Sequence, residues 1–262
     1  MPRVVFFQGA FASAQQVQRL TTHTEPLFDD RDIMPIPHDL PEIVYSSSIL
    51  CRGLMWLANI AFMLIGRPSV CGDPYYVDVR HVNLAQRSDM EQCRARGVGD
   101  IAFGISRGAA TTFARWALHD MEHDEPEQPR FLLLEGCPAS IPHAIRFRYG
   151  DWLAPWIEWL LENTTQYKAA DARTLSPLSL AYRFPHTIPV AFVTSKHDTT
   201  VSSEDTHDII RALREVGHPS IHVLELQDAH HNNYYVGSER DRYAYKEFVT
   251  KLMQMYHHQA RD

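Results

Sequence analysis

The sequence predicts a doubly wound α/β fold with a mostly parallel sheet of about six strands and helices on both faces. Three observations predict it. Short runs that are apolar on both faces recur along the chain, each bounded by Gly, Pro or Asp, as strands buried on two sides must be. Longer stretches with helical periodicity lie between several of them. The chain has 262 residues, 45% of them apolar, which suits one domain with a large core.

The first strand is expected at Val4–Phe7, an apolar run that leads into a Gly turn. The second is expected at Asp32–Ile36. A helix over Asn83–Arg96 precedes the third strand, Asp100–Ile105, and a helix over Arg107–Met121 follows it directly. Arg130–Glu135, Pro189–Thr194 and His222–Leu226 supply the remaining strands. The helix over Glu204–Val216 places Ile209, Ile210 and Leu213 on one face and stops at Gly217, a suitable C-terminal cap. The last helix, Tyr243–Tyr256, carries Phe248, Val249, Leu252 and Met255 on its apolar face.

Two stretches break the alternation and read as helical insertions within the single 1–262 domain, over 40–76 and 137–187. The first contains the apolar segment Leu54–Ile65. The second contains Trp152, Trp156 and Trp159, near one helical face, with Leu153, Ile157, Leu160 and Leu161. The Trp stripe has two readings, core packing or the wall of a lid.

Composition narrows the function. The net charge is −7 and no long basic run occurs, which disfavours nucleic acid and anionic membranes as partners. The four cysteines lie far apart with no C-x-x-C pair, so reduced thiols are expected. Val4–Phe7 is too short for a signal-peptide core, and Leu54–Ile65 is too short to span a bilayer. The expectation is a soluble, cytoplasmic protein.

Gly104-Ile105-Ser106-Arg107-Gly108 matches G-x-S-x-G. An apolar strand feeds it, and a helix beginning with the small residues Ala109 and Ala110 leaves it. A serine on so sharp a strand-to-helix turn needs flanking glycines, because backbones pass close there. Its hydroxyl then sits at a helix N-terminus, where the dipole and free N–H groups favour negative charge.

This segment resembles the nucleophile elbow of the α/β-hydrolase family, whose triad runs serine, acid, histidine along the chain. The resemblance implies Ser106 as nucleophile. The family's acid follows the next-to-last strand, and Asp198, after Pro189–Thr194, matches that place. A plain turn aspartate is the competing reading, and Asp205 and Asp208 nearby fall within the helix. The family's histidine follows the last strand. The usual ending resembles Ala-Gly-His, which aligns Ala229-His230-His231 and makes His231 the base; a one-residue shift makes it His230. The oxyanion donors implied are the backbone N–H groups of Ala10 and Arg107. Gln8-Gly9 stands where the family often has His-Gly, and the family's leading antiparallel strands are missing from the pattern.

The resemblance implies a hydrolase of carboxylic esters that needs no cofactor and takes a small-molecule acyl substrate. An aromatic lid would favour an apolar one. A serine peptidase or a thioesterase is served by the same three residues. A non-catalytic binding protein on this fold is the reading from another class. His119-Asp120-Met121-Glu122-His123 also matches the zinc-peptidase pattern H-x-x-E-H, but at the far end of the helix from Ser106 and without an evident third ligand.

Overall fold

The computed structural model describes residues 4–7, 25–28, 33–35, 57, 61, 64, 101–118, 128–164, 169–231 and 233–256. Six strands form one sheet: β1 (Val4–Phe7), β2 (Ile33–Pro35), β3 (Ile101–Ile105), β4 (Phe131–Glu135), β5 (Val190–Ser195) and β6 (Ile221–Leu226). Their order is β2-β1-β3-β4-β5-β6, and every neighbouring pair is parallel. All six expected strands are present, with ends shifted by at most a residue or so, the usual scatter of element boundaries.

The central strands are buried throughout because each of their two faces meets a separate apolar layer. Ala102, Leu132, Leu134, Val190 and Phe192 point into one layer. Ile101, Phe103, Phe131, Leu133, Ala191 and Val193 point into the other. This strict alternation is the two-residue period of a strand applied to a sheet covered on both sides. Among the described residues, edge strand β6 pairs only with β5, and it is half-buried except at Leu226.

Seven helices are described. The first, α1 (Arg107–Ala117), follows β3 and buries Phe113, Ala114 and Trp116 in the first layer. Between β4 and β5 come α2 (Ile141–Tyr149), α3 (Ala154–Thr164), α4 (Ala169–Thr174) and α5 (Pro177–Leu180). Next is α6 (Ser203–Glu215), which buries Ile209, Ile210 and Leu213 as expected. Its end is closed by Gly217 N–H on the Arg214 carbonyl and His218 N–H on the Leu213 carbonyl, both at 3.0 Å. The last helix, α7 (Glu239–Met255), lies on the opposite face beside the 3-10 turn Glu25–Phe28.

Three sequence expectations need correction. The buried face of α7 is Tyr245, Val249, Leu252 and Met253, while Met255 is exposed. Tyr245 tips the buried face, because a tyrosine ring packs like any apolar body once its hydroxyl has a partner. The Trp stripe is not core: Trp152, Trp156 and Trp159 are 72%, 66% and 54% exposed, and Ile157 on the opposite side of α3 is what packs inward. The helix after Ser106 ends at Ala117, capped by Leu118, short of the expected Met121. Insertion 40–76, apart from helical residues 57, 61 and 64, and the expected helix 83–96 lie outside the described residues, as does the H-x-x-E-H motif at 119–123.

The strand order has one functional consequence. From β1 the chain adds β2 on one side, and β3 lies on β1's other side. In α/β sheets, ligands bind at the carboxyl ends of the strands where such a reversal occurs, here the ends of β1 and β3. Ser106 follows β3 at that end.

Candidate active site

The turn at Ser106 is built from close contact. Ser106 has φ 55° and ψ −118°, and among the described residues no other non-glycine has positive φ. Such backbone is strained for a residue with a Cβ and persists only where its surroundings hold it. Two hydrogen bonds hold it here. The Ser106 N–H donates to the Glu135 carbonyl on β4 at 2.7 Å, and the Ser106 carbonyl accepts from Ala110 N–H at 3.2 Å. Helix α1 also lies directly against β3. A Cβ on Gly104 would stand 2.6 Å from the Gly108 carbonyl oxygen and 2.7 Å from Ala109 Cα, so only glycine fits. The Ser106 side chain does not cap α1, which leaves its hydroxyl for another partner.

That partner is His231. Its Nε2 lies 3.0 Å from Ser106 Oγ, and its Nδ1 lies 2.6 Å from Asp198 Oδ2. A carboxylate only accepts hydrogen bonds, so Nδ1 carries the proton and Nε2 presents its lone pair to the serine hydroxyl. The three residues expected to meet are brought together across 125 residues of chain. His230 points elsewhere: it is exposed and its ring stacks near that of His197, with centroids 6.4 Å apart.

Asp198 is held as firmly. It follows β5 on a turn in which its N–H donates to the Ser195 carbonyl at 3.3 Å. Its Oδ1 accepts from the Thr200 and Val201 N–H groups at 2.8 and 2.9 Å, and its Oδ2 from the Tyr234 hydroxyl at 2.6 Å as well as from His231. Burial alone would raise this carboxyl. The hydrogen bond and charge of His231, then Tyr234 and the Val201 N–H, outweigh it and hold the carboxyl below its ordinary value. The other two aspartates are occupied elsewhere: Asp208 pairs with Arg211 at 2.7 Å, and Asp205 lies 3.9 Å from His143. Burial pushes the Asp205 carboxyl up to about 6, against the opposing pull of His143.

The loop carrying His231 is anchored at both ends. Ser195 Oγ donates to the Ala229 carbonyl at 2.5 Å, tying it to the end of β5. The N–H groups of Gln227 and Asp228 donate to the buried Asp241 carboxylate in the first turn of α7, at 3.1 and 2.7 Å. Ser238 caps that helix through the Asp241 N–H at 3.2 Å.

Three neighbours escape a reading of the sequence. Tyr234 is one. Gly136, with φ +51°, is another: a Cβ there would lie 3.0 Å from the Tyr234 hydroxyl oxygen and 3.4 Å from both Asp198 Oδ2 and His231 Cε1. The third is Glu135, whose buried side chain takes a short hydrogen bond from the Tyr245 hydroxyl. Burial pushes the Glu135 carboxyl up to about 8, although the Tyr245 bond pulls the other way. No local pattern marks these residues; a tyrosine three positions after His231 is the nearest thing to a signal. Of the expected oxyanion donors, Arg107 opens α1 directly after Ser106, and Ala10 lies outside the described residues.

The chain has the α/β-hydrolase fold, shown by its parallel sheet and by its likeness to solved structures. An acylaminoacyl peptidase in complex with Z-Gly-Gly-Phe-chloromethyl ketone superposes at TM-score 0.61 and 14% identity, over 100% of this chain and 37% of that one. A highly thermostable carboxyl esterase from Bacillus coagulans in complex with glycerol superposes at TM-score 0.57 and 12% identity, over 97% of this chain and 91% of the other. A hormone-sensitive lipase from a metagenome library gives TM-score 0.61 and 14% identity, over 97% and 77%. The chain thus spans little more than a third of the peptidase. No protein-family profile matches it, and no curated protein matches it in sequence. Among the described residues no helix is long and apolar enough to cross a membrane.

Proposed function

We propose that this chain is a serine hydrolase that cleaves a carboxylic ester through an acyl-enzyme on Ser106. One observation carries the reading: His231 bridges Ser106 Oγ at 3.0 Å and Asp198 Oδ2 at 2.6 Å. A serine hydroxyl is a weak nucleophile, and a base within hydrogen-bond reach is what activates it.

In this mechanism Ser106 Oγ attacks the substrate carbonyl carbon while its proton passes to His231 Nε2. The carbonyl π electrons move to oxygen, and the Arg107 and Ala10 N–H groups hold the resulting oxyanion. Asp198 keeps Nδ1–H in place and balances the imidazolium charge. Collapse of the intermediate breaks the bond to the alcohol, which leaves with the proton from Nε2. A water then attacks the acyl carbon and gives a proton to Nε2. The second collapse breaks the acyl–Oγ bond, Oγ regains the proton and the carboxylic acid departs. One ester and one water become one acid and one alcohol, and no cofactor takes part.

The segment 137–187 is proposed as a lid. It leaves the sheet at Glu135, whose carbonyl is bonded to the Ser106 N–H, so it starts at the rim of the site. Its exposed Trp rings make one side of the segment apolar, and that side is the one we assign to an apolar acyl chain. Esters are favoured over peptides because two of the similar structures are named as an esterase and a lipase and are matched over most of their length.

Labelling with a fluorophosphonate probe tests the reading. Wild-type protein should be labelled once, at Ser106, and Ser106→Ala should abolish the label. An unlabelled wild type that retains its fold would contradict it and favour a binding protein.

A further inference from the structure

We propose that Tyr234 is a positioning residue of this site: its phenol shares Asp198 Oδ2 with His231 Nδ1 and thereby moderates the carboxylate's hold on the imidazolium. The inference rests on the serine-hydrolase reading above.

Asp198 has four acceptor positions, and all four are filled by the Thr200 N–H, the Val201 N–H, His231 Nδ1 and the Tyr234 hydroxyl. The two backbone donors on Oδ1 already fix the plane of the carboxylate. Tyr234 is therefore not needed to orient it. What the phenol does add is a second donor, at the same 2.6 Å, on the very oxygen that faces the imidazole. Two donors on one oxygen compete for its charge, so each bond is weaker than it would be alone. Burial, then the neighbouring Asp198 charge, raises the Tyr234 phenol well above its ordinary value, so it remains a donor through the working pH range.

The groups around this pair come from four elements. Tyr234 lies on the loop after β6 with His231, Asp198 follows β5, and the Glu135–Tyr245 pair joins β4 to α7. When ionised, Glu135 also raises both tyrosines, although burial keeps its own carboxyl up at about 8. Gly136 leaves room for the arrangement, since a side chain there would meet the phenol oxygen.

The sign of the effect follows. Without the phenol, Asp198 Oδ2 holds the imidazolium more tightly, so the protonated, inactive form persists to higher pH. A purely structural tyrosine would change the amount of folded enzyme and leave the pH profile where it was.

The experiment is the pH dependence of kcat/KM on a p-nitrophenyl ester for wild type, Tyr234→Phe and protein with 3-fluorotyrosine placed at 234. The Phe variant keeps the ring and should move the acid limb up by about half to one pH unit. Fluorination makes the phenol a stronger donor and should move the limb down. If Tyr234→Phe fails to fold, the fluorotyrosine protein, which keeps the hydroxyl, decides. An active wild type whose limb stays fixed in the folded variants overturns this inference alone. A wild type that neither hydrolyses the ester nor takes the fluorophosphonate label overturns the hydrolase reading and this inference together.

Discussion

Gly136 and His231 are so close that a Cβ built on the glycine would lie 3.4 Å from the imidazole Cε1. The same methyl would lie 3.0 Å from the Tyr234 hydroxyl oxygen, and the backbone at Gly136 has φ +51°, which an L side chain adopts at a cost. Gly136→Ala therefore strains the turn and pushes on both side-chain partners of Asp198 at once. We expect a loss of about 1–2 kcal/mol in stability. In kcat/KM we expect a fall of about tenfold or more, since small misplacement of a catalytic group is expensive. Denaturant melts and ester kinetics on the same preparation check both.

On the proposed mechanism the histidine doublet should separate by function. His231→Ala removes the base and should lower kcat by about 10⁴-fold or more. His230→Ala alters an exposed ring and should stay within about threefold of wild type. Equal losses in the two variants would contradict the geometry at Ser106.

Glu135 predicts a pH-dependent stability. Its carboxyl, ordinarily near 4.5, is raised to about 8 in the fold, chiefly by burial. The folded state therefore binds the proton more tightly than the unfolded chain does. The associated stability is complete below about 4.5 and is lost progressively as pH rises toward 8. From pH 5 to 8 the loss is roughly 3 kcal/mol. Glu135→Gln keeps an acceptor for Tyr245 and should remove that part of the slope. Urea unfolding at pH 5 and pH 8 for both proteins measures it.

The exposed tryptophans make a separate prediction. Trp152 and Trp156 are 72% and 66% exposed, so truncating either to alanine should change stability by no more than about 0.5 kcal/mol. If the segment is a lid for apolar chains, the same variants should flatten the dependence of kcat/KM on acyl length. A stability loss typical of a core residue would contradict their exposure, and a rate that ignores acyl length in wild type would contradict the lid.

Much of this was legible in the sequence, for physical reasons. Strands β3, β4 and β5 are buried on both faces, so their runs are mostly apolar and stand out from the turns that bound them. Ser106, Asp198 and His231 could be read because the elbow is a local motif and the other two occupy fixed places after strands. The buried face of α7 is not legible from periodicity, because Tyr245 counts as half polar until its hydroxyl reaches Glu135. The Trp stripe has the same spacing whether it faces a core or solvent, so periodicity alone leaves its side open. Tyr234 and Glu135 could not be read at all. Their contacts, with Asp198 and Tyr245, span 36 and 110 residues, and only the packed sheet creates them.

The central claim is that Ser106 becomes acylated during turnover. Rapid quenching of a p-nitrophenyl butyrate reaction, followed by peptide mass mapping, tests it most directly. The account predicts a transient adduct of one butyryl group on the peptide containing Ser106, absent from Ser106→Ala and accumulating in proportion to the burst of p-nitrophenol. Turnover with no adduct at any time point, in a protein whose rate survives Ser106→Ala, would contradict it.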